Sequence, residues 1–248
     1  EHPLDDPCRE VAGRRRDGSM FPLELGISVI NSAGERLFVW LVRDIVERKQ
    51  AEATRALLMD ELNHRVKNTL GTVQAMAEHT LRTTHDPETF VASFRGRLQA
   101  LAGAHNLLTQ STWSGVSLEA LIREQLVIAA EGTQIRCGGP PVRLTPQIAV
   151  HLGLVLHELG TNARKYGALS APDGRLLLTW ELAPAEDEAS EVLRLDWRER
   201  GGPPVTPPAA PGFGSFLIER GICHTLRGTV EHAFGPEGVT CRISLPLG

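Results

Sequence analysis

Hydrophobic and polar positions divide the chain into a strand-like beginning, a helical middle and a mixed remainder. Two apolar stretches, Phe21–Ile30 and Arg36–Ile45, flank turn-forming residues and predict antiparallel strands within residues 9–45. A hairpin of this size is only marginally stable by itself, so the chain is expected to begin inside a domain.

From about Val46 the pattern becomes helical. Pro87 is expected to end this first helix, and a second amphipathic helix is predicted over Glu88–Leu108. Two such helices joined by a short turn form an antiparallel hairpin, and pairing two hairpins in a homodimer would cover their apolar faces. The heptad-like seam of the first helix contains Leu62, Val66, Thr69, Val73, Met76 and Thr80.

The remainder mixes helices with strands. Helices are predicted at Ser117–Ala130, Pro146–Tyr166 and Phe216–Leu226. Strands are predicted at Gln134–Cys137, Arg175–Leu182, Glu191–Trp197, Thr229–Phe234 and Val239–Leu245. Because strands and helices do not alternate strictly, this part is expected to fold as an α+β sandwich. The expected domains are residues 1–45, 46–112 and 113–248.

Composition excludes several kinds of partner and location. The formal net charge of −4 over 248 residues gives no basic footprint, so nucleic acid is not expected as a partner. No apolar run approaches the roughly 20 residues of a membrane span. The four cysteines are scattered without a CxxC pair, which favours a reducing cytoplasm over a disulfide framework or a zinc site.

His64, within the first predicted helix, is a candidate phosphate acceptor. Helical spacing turns it away from the seam residue Leu62 and onto a polar face with Glu61 and Asn68. A neutral imidazole nitrogen is a competent nucleophile at cytoplasmic pH. Glu61 could orient the ring or take its proton, and Lys67 could neutralise an incoming phosphate. The alternative is a solvated helical histidine among charges.

The long helix predicted at Pro146–Tyr166 presents Glu158, Asn162 and Lys165 on one face, at spacings of four and three. Mg²⁺ prefers oxygen ligands shared with phosphate oxygens, and an amide oxygen of Asn162 supplies one such ligand. Lys165 can neutralise phosphate as a point charge. The alternative is an amphipathic core helix with a polar outer face.

Two glycine-containing elements follow. Glu199 and Gly201–Gly202 stand at the end of a predicted strand, where a carboxylate can accept from an adenine amino group and paired glycines admit a flat ring. Gly212 and Gly214 lead into a helix, whose first N–H groups suit an anionic phosphate. The alternatives are a plain turn and a surface loop.

These segments resemble four ordered boxes of the HWE family of bacterial sensor histidine kinases. Glu61–Asn68 is similar to the H-box. His157–Gly167 is similar to the N-box, which the wider GHKL ATPase fold shares. The pattern Trp197-x-Glu199 resembles the Trp-x-Glu feature that, together with the histidine, gives the HWE family its name. Gly212–Ser215 resembles the G2 box.

The resemblance implies a helical phosphotransfer hairpin followed by a GHKL-type ATP-binding domain that uses ATP and Mg²⁺. By that resemblance Asn162 coordinates Mg²⁺, Glu158 supports proton transfer and Lys165 contacts phosphate. The implied nucleotide-binding residues are Asn162, Lys165, Tyr166, Glu199, Gly201, Gly202, Gly212, Gly214 and Ser215.

The chain departs from the commoner histidine kinases after the acceptor. Those proteins usually carry an acidic residue directly after the histidine, whereas this chain has Arg65, which cannot act as a base. Glu61 and Glu158 are the candidates for that role. The predicted activity is ATP-dependent autophosphorylation of His64, followed by transfer to an aspartate of a response regulator. The alternatives are a GHKL-type ATPase or nucleotide-gated switch without phosphohistidine, and a dimerising scaffold.

The amino-terminal strands resemble the end of a PAS sensor domain. Arg14–Glu24 is similar to its last strands, and Asp44–Arg48 to the motif that joins such a domain to a signalling helix. Flavin-binding members usually carry amide side chains on these strands, and this chain has Leu23 and Val42 there. Flavin is therefore not expected. The alternative is a strand pair that caps the helices.

Overall fold

The computed structural model describes residues 8–32, 35–84, 86–110, 115–126, 134–184, 191–205 and 212–247. The chain divides into two compact units, Glu1–Thr72 and Val73–Gly248. One long helix, α1 (Val46–Thr83), contributes residues to both. Among the residues described, no helix combines the length and apolar character that a membrane span requires.

The first unit contains the antiparallel sheet β1 (Arg9–Arg14), β2 (Met20–Ser32) and β3 (Glu35–Asp44), ordered β1-β2-β3. The strands predicted within residues 9–45 are therefore present, although residues 33–34 of the predicted turn lie outside the description. The helix α1 starts directly after β3, where the Asp44 carboxylate accepts from the Val46 N–H at 2.9 Å. A carboxylate at that position satisfies one of the free N–H groups of the first helical turn.

The second unit begins with the end of α1 and with α2 (Pro87–Gln110). The first helix ends at Thr83, four residues before the proline that was expected to end it, and Pro87 instead opens α2. Proline is tolerated in a first helical turn because its missing N–H would have no partner there. The buried face of α2 comprises Ala100, Leu101, Gly103, Ala104 and Leu108.

A five-stranded mixed sheet forms one layer of this unit. Its order is β5-β7-β8-β10-β9, in which β5 and β7 are parallel and the other neighbours are antiparallel. A short pair, β4 with β6, stands apart from it. The strands are β4 (Val116–Ser117), β5 (Ile135–Gly138), β6 (Arg143–Leu144), β7 (Arg175–Pro184), β8 (Glu191–Arg200), β9 (Thr229–Gly235) and β10 (Gly238–Pro246).

Helices α3 (Leu118–Leu126) and α4 (Pro146–Lys165) pack on each other, and their apolar residues share one core with the sheet. Alternate residues of β8 face that core, so Leu193, Leu195 and Trp197 are fully or almost fully buried. This arrangement confirms the predicted α+β sandwich. Residues 127–130 of the helix predicted at Ser117–Ala130 lie outside the description.

The helix predicted at Phe216–Leu226 begins earlier than expected. It consists of a short α5 (Phe213–Leu217) that continues as a π-helical segment, Ile218–Thr225. The Thr225 hydroxyl donates to the carbonyl of Arg220, five residues earlier, at 2.8 Å, in keeping with the wider π-helical turn.

Candidate functional site

His64 lies on an exposed part of α1 in the first unit. The side-chain amide of Asn68, one turn later, lies with Nδ2 3.3 Å from the His64 Nδ1. Lys67 is exposed beside it. The ring is therefore accessible from solvent, as a phosphate acceptor must be.

Glu61 is paired with the arginine that follows the histidine. The Arg65 Nε donates to the Glu61 Oε1 at 2.6 Å. Both side chains are substantially exposed, 41% for Arg65 and 57% for Glu61, so the contact is an ordinary surface i,i+4 ion pair. The carboxylate of Glu61 is thus engaged in an ion pair with Arg65.

Helix α4 carries the Asn-bearing segment in the second unit. Its first turn has Pro146 and is capped by Thr145, whose hydroxyl accepts from the Ile148 N–H. Gly160 faces α3 so closely that an added Cβ would lie 2.7 Å from Leu126 Cδ2, which explains a glycine inside a helix. The guanidinium of Arg164 donates to the backbone carbonyl of Leu126 and secures the same crossing.

Asn162 and Lys165 are exposed on α4, and Tyr166, which follows the helix, is 67% exposed. Among the described residues, no group of three His, Cys, Asp or Glu side chains could hold a metal ion. Beside phosphates, Mg²⁺ is usually bound through one or two protein oxygens, with the remaining ligands from phosphate and water. The Asn162 amide oxygen is a suitable donor for such an ion.

Glu158 is buried and does not share the exposure of Asn162. Its carboxylate accepts from two nitrogens of Arg97 in α2, from Nε at 2.9 Å and from Nη2 at 3.2 Å. Each of the two side chains is only 12% exposed. This is a two-contact guanidinium–carboxylate pair of the geometrically most specific kind.

Arg97 has two further contacts. Its Nη1 donates to the hydroxyl of Thr80 in α1, and its guanidinium carbon lies 3.9 Å from the centre of the Phe213 ring. Sequence reasoning did not single out Arg97. It follows Phe94 by three residues and precedes Leu101 by four, and an arginine on an apolar stripe is the signal that could have indicated a buried ion pair.

His79 packs beside this network. Its ring lies 5.3 Å from that of Phe213 and 5.2 Å from that of Phe216. Burial lowers the pKa of His79 below its ordinary value, and the positive charges of Arg97 and Arg82 lower it further, while Glu158 acts in the opposite direction. The ring is therefore favoured in its neutral form.

Glu199 is almost completely buried at the end of β8. Its Oε1 accepts from the indole N–H of Trp197 at 3.0 Å, and its Oε2 accepts from the backbone N–H of Ala168 at 2.8 Å. Ala168 belongs to the turn that follows α4, so the carboxylate ties the end of a strand to the segment beyond Lys165 and Tyr166. Trp197 is thus both a core residue and a hydrogen-bond donor to Glu199.

The paired glycines fit around the same turn. Gly201 has a φ of 73°, a conformation that favours glycine. An added Cβ at Gly202 would lie 2.7 Å from the Cα of Ala168, too close for any side chain. These glycines therefore let the end of β8 approach the turn after α4.

The last glycine element touches α4. Gly212 precedes α5, and an added Cβ there would meet nothing within 4 Å. At Gly214 an added Cβ would lie 3.7 Å from the Cβ of Glu158, so this element and the buried carboxylate are neighbours. Ser215 is exposed. Residues 206–211, most of the proline-rich stretch between the two glycine elements, lie outside the description.

The second unit thus brings the expected ATP-binding elements around α4, and a search of solved structures agrees with that architecture. A blue-light activated histidine kinase from Erythrobacter litoralis matches with a TM-score of 0.53 and 20% identity, over 97% of this chain and 76% of that one. At this identity the likeness shows the fold, which is that of a histidine kinase with a GHKL-type catalytic domain.

Sequence comparison identifies the family more closely. A sequence model described as HWE histidine kinase matches residues 61–141. Relatives named blue-light-activated histidine kinase, from Brucella ovis and Brucella anthropi, are 35% and 36% identical over 85% and 84% of this chain. The chain therefore carries a segment of the HWE histidine kinase family, residues 61–141. It spans 43% and 42% of those two relatives, less than half of their length.

Proposed function

We propose that this chain is the kinase region of a two-component sensor, a protein-histidine kinase that uses ATP to phosphorylate His64. The observation that carries the proposal is the exposed imidazole of His64 within the H-box at which the family match begins, at residue 61. In the reaction a histidine nitrogen bonds to the γ-phosphorus of ATP, the bond to the β-phosphate oxygen breaks, and ADP leaves.

The second unit supplies the ATP site in this proposal. Asn162 contributes an amide oxygen to Mg²⁺, and the metal supplies charge neutralisation on the phosphates when bound. Lys165 contacts phosphate, and the backbone of Gly212, Gly214 and Ser215 also contacts phosphate. Tyr166, Gly201 and Gly202 border the nucleotide. Glu199 acts by holding the turn after α4, since both of its carboxylate oxygens already accept protein hydrogen bonds.

Proton transfer from the acceptor needs a base other than the residue after His64. Of the two candidates, Glu61 shares its carboxylate with Arg65 on an exposed helix face. Glu158 lies in the N-box segment and is held by Arg97. We propose Glu158 as the base, and Lys67 as a charge that neutralises the incoming phosphate.

The partners follow from the same reaction. A phosphohistidine passes its phosphoryl group to a carboxylate, so we propose an aspartate on the receiver domain of a response regulator as the next acceptor. A homodimer through the hairpin would cover exposed apolar side chains of α1, among them Leu58, Leu62, Val66 and Leu70. Functional boundaries near residues 45 and 112, and a cytoplasmic location, stay predictions.

Labelling with γ-³²P ATP tests the proposal. Label is expected on the protein in an acid-labile, base-stable form. His64→Gln is expected to abolish labelling while ATP binding is retained, and His224→Gln, at another exposed histidine, is the matched control. Full labelling of His64→Gln would show that His64 is not the phosphate acceptor.

The proposed role of Asn162 as a ligand of Mg²⁺ is tested by a separate variant. Asn162→Ala is expected to abolish labelling by removing the protein ligand of Mg²⁺, whereas Asn106→Ala, at an exposed amide on α2, should label normally. The alternative function, a GHKL-type ATPase or switch without phosphohistidine, predicts ATP turnover that is unaffected by His64→Gln. The family match favours the kinase, because it begins within the H-box.

The relatives are named blue-light-activated histidine kinases. This chain differs at two positions from the strands of flavin-binding PAS domains. Leu23 and Val42 stand where flavin-binding members usually have amides, and Val42 is exposed on β3. We propose that these strands respond to a signal other than flavin-absorbed light. Labelling is expected to be equal in darkness and under blue light, and a light-dependent change would contradict this.

A further inference from the structure

We propose that Arg97 is a latch, an ion pair with Glu158 that holds the ATP-binding fold on α2 in a resting arrangement and must open before phosphoryl transfer. The inference rests on the proposed function, because it concerns the carboxylate assigned there as the base. It names a regulatory contact that the reaction itself does not require.

The latch is closed in this structure. Two nitrogens of Arg97 contact the two oxygens of Glu158, at 2.9 and 3.2 Å, and each side chain is 12% exposed. A guanidinium is permanently charged, and here it covers both oxygens of the carboxylate. In this arrangement Glu158 is also shielded from any incoming imidazole.

The two partners come from different functional parts. Arg97 stands on α2, the second helix of the hairpin, while Glu158 stands in the N-box segment of α4, 61 residues later. Thr80, near the end of α1, provides a third contact, because its hydroxyl accepts a hydrogen bond from Arg97. Any movement of the ATP-binding fold away from the hairpin helices must break this pair.

The latch is connected to the proposed phosphate-binding element. The guanidinium of Arg97 stacks on Phe213, which lies between Gly212 and Gly214, and Gly214 is itself next to Glu158. A triphosphate bound by that backbone would reposition Phe213 and so disturb the surface on which Arg97 rests. Nucleotide binding and release of the ion pair are therefore coupled through adjoining residues.

A purely structural role explains the pair less well. A buried ion pair loses most of its attraction to desolvation, and apolar side chains of similar size often stabilise a core equally well. The Arg97 guanidinium lies over the ring of Phe213, which belongs to the buried apolar core, so an apolar side chain would fit the surroundings. Retaining charge there is consistent with a contact that has to open.

The first test is the initial rate of autophosphorylation of the full chain. Arg97→Gln, which breaks the ion pair but keeps a polar group, is expected to raise the rate at least threefold, with ATP affinity within twofold of the parent. Arg97→Lys keeps the charge but loses the two-contact geometry and should give a smaller rise. Arg123→Gln, which breaks the exposed pair with Glu119, is the matched control and should leave the rate unchanged.

An unchanged or lower rate in a folded Arg97→Gln protein would overturn the latch. If that variant does not fold, Thr80→Val replaces it, because it removes the hydroxyl that holds the Arg97 guanidinium in place and so weakens the ion pair with Glu158. A rise in rate supports the proposal there as well, and no rise refutes it.

The second test does not depend on phosphoryl transfer. Hydrogen exchange of α2 amides in Phe94–Leu101 is measured with and without Mg²⁺ and a non-hydrolysable ATP analogue. Exchange at least threefold faster with the analogue supports opening, and unchanged or slower exchange contradicts it. Faster exchange in a protein that never labels His64 would leave the latch standing and refute the proposed kinase activity.

Discussion

Replacing Glu199 tests how the turn after α4 is held. This residue is 4% exposed, and its carboxylate accepts from the Trp197 indole and from the Ala168 backbone N–H. Glu199→Ala leaves both donors buried without an acceptor. A buried donor left unpaired costs about 1–3 kcal/mol, so two of them give about 2–6 kcal/mol.

The loss should fall in the lower part of that range. Removing a buried carboxylate also removes the cost of its own desolvation, which offsets part of the lost hydrogen bonding. We expect Glu199→Ala to lower the free energy of unfolding by about 3 kcal/mol. Glu199→Gln keeps one acceptor oxygen and should lose roughly half as much.

Urea unfolding of the full chain, followed by circular dichroism and tryptophan fluorescence, measures these differences. Glu181→Ala is the control, because Glu181 is 68% exposed and its nearest cation, on Arg194, is 3.8 Å away. Its loss should be within about 0.5 kcal/mol of zero. If Glu199→Ala unfolds at the same urea concentration as the parent and only ATP binding fails, the carboxylate is a ligand and the structural reasoning is wrong.

Two further predictions concern the same unit. Burial lowers the pKa of His79 and of His157 below the ordinary value of 6.5, so at a pH between the folded-state pKa and 6.5 the unfolded chain binds more protons than the folded chain. The free energy of unfolding should therefore be largest above pH 6.5 and fall as the pH drops through that window. The expected measurement is a lower urea midpoint at pH 5.5 than at pH 7.5. Gly167→Ala should lower the thermal midpoint, because an added Cβ would collide with the Glu199 Oε2, whereas Gly138→Ala meets nothing within 4 Å and should leave the midpoint nearly unchanged; equal midpoints for the two variants would contradict the close approach.

The elements that sequence reasoning found are those with a local signal. Helix α4 was predicted over Pro146–Tyr166 and is observed over Pro146–Lys165; Pro146 marks its start and its apolar residues repeat every three or four positions. The strands β7 and β8 are apolar at alternate positions, which is typical of a sheet with one buried face. The glycine elements were found because glycine marks places where the backbone approaches closely.

The contacts that sequence reasoning missed join distant residues. The Arg97–Glu158 pair spans 61 positions, and the bond from Ala168 to Glu199 spans 31. No periodicity connects such residues, so only the packed arrangement of α2, α4 and β8 reveals them. Likewise β4 and β6 have two residues each, too few for an alternating pattern, and exist because each supplies the other's backbone partners.

The hydrogen bond between Trp197 and Glu199 makes the indole an internal optical reporter. Trp197 is completely buried and its ring N–H points to the carboxylate that holds the turn beyond α4. Indole emission depends on the polarity and charge around the ring, so displacement of that turn changes the colour and yield of the emitted light. With the other three tryptophans replaced by phenylalanine, ligand titrations of this protein can be followed without attaching a dye.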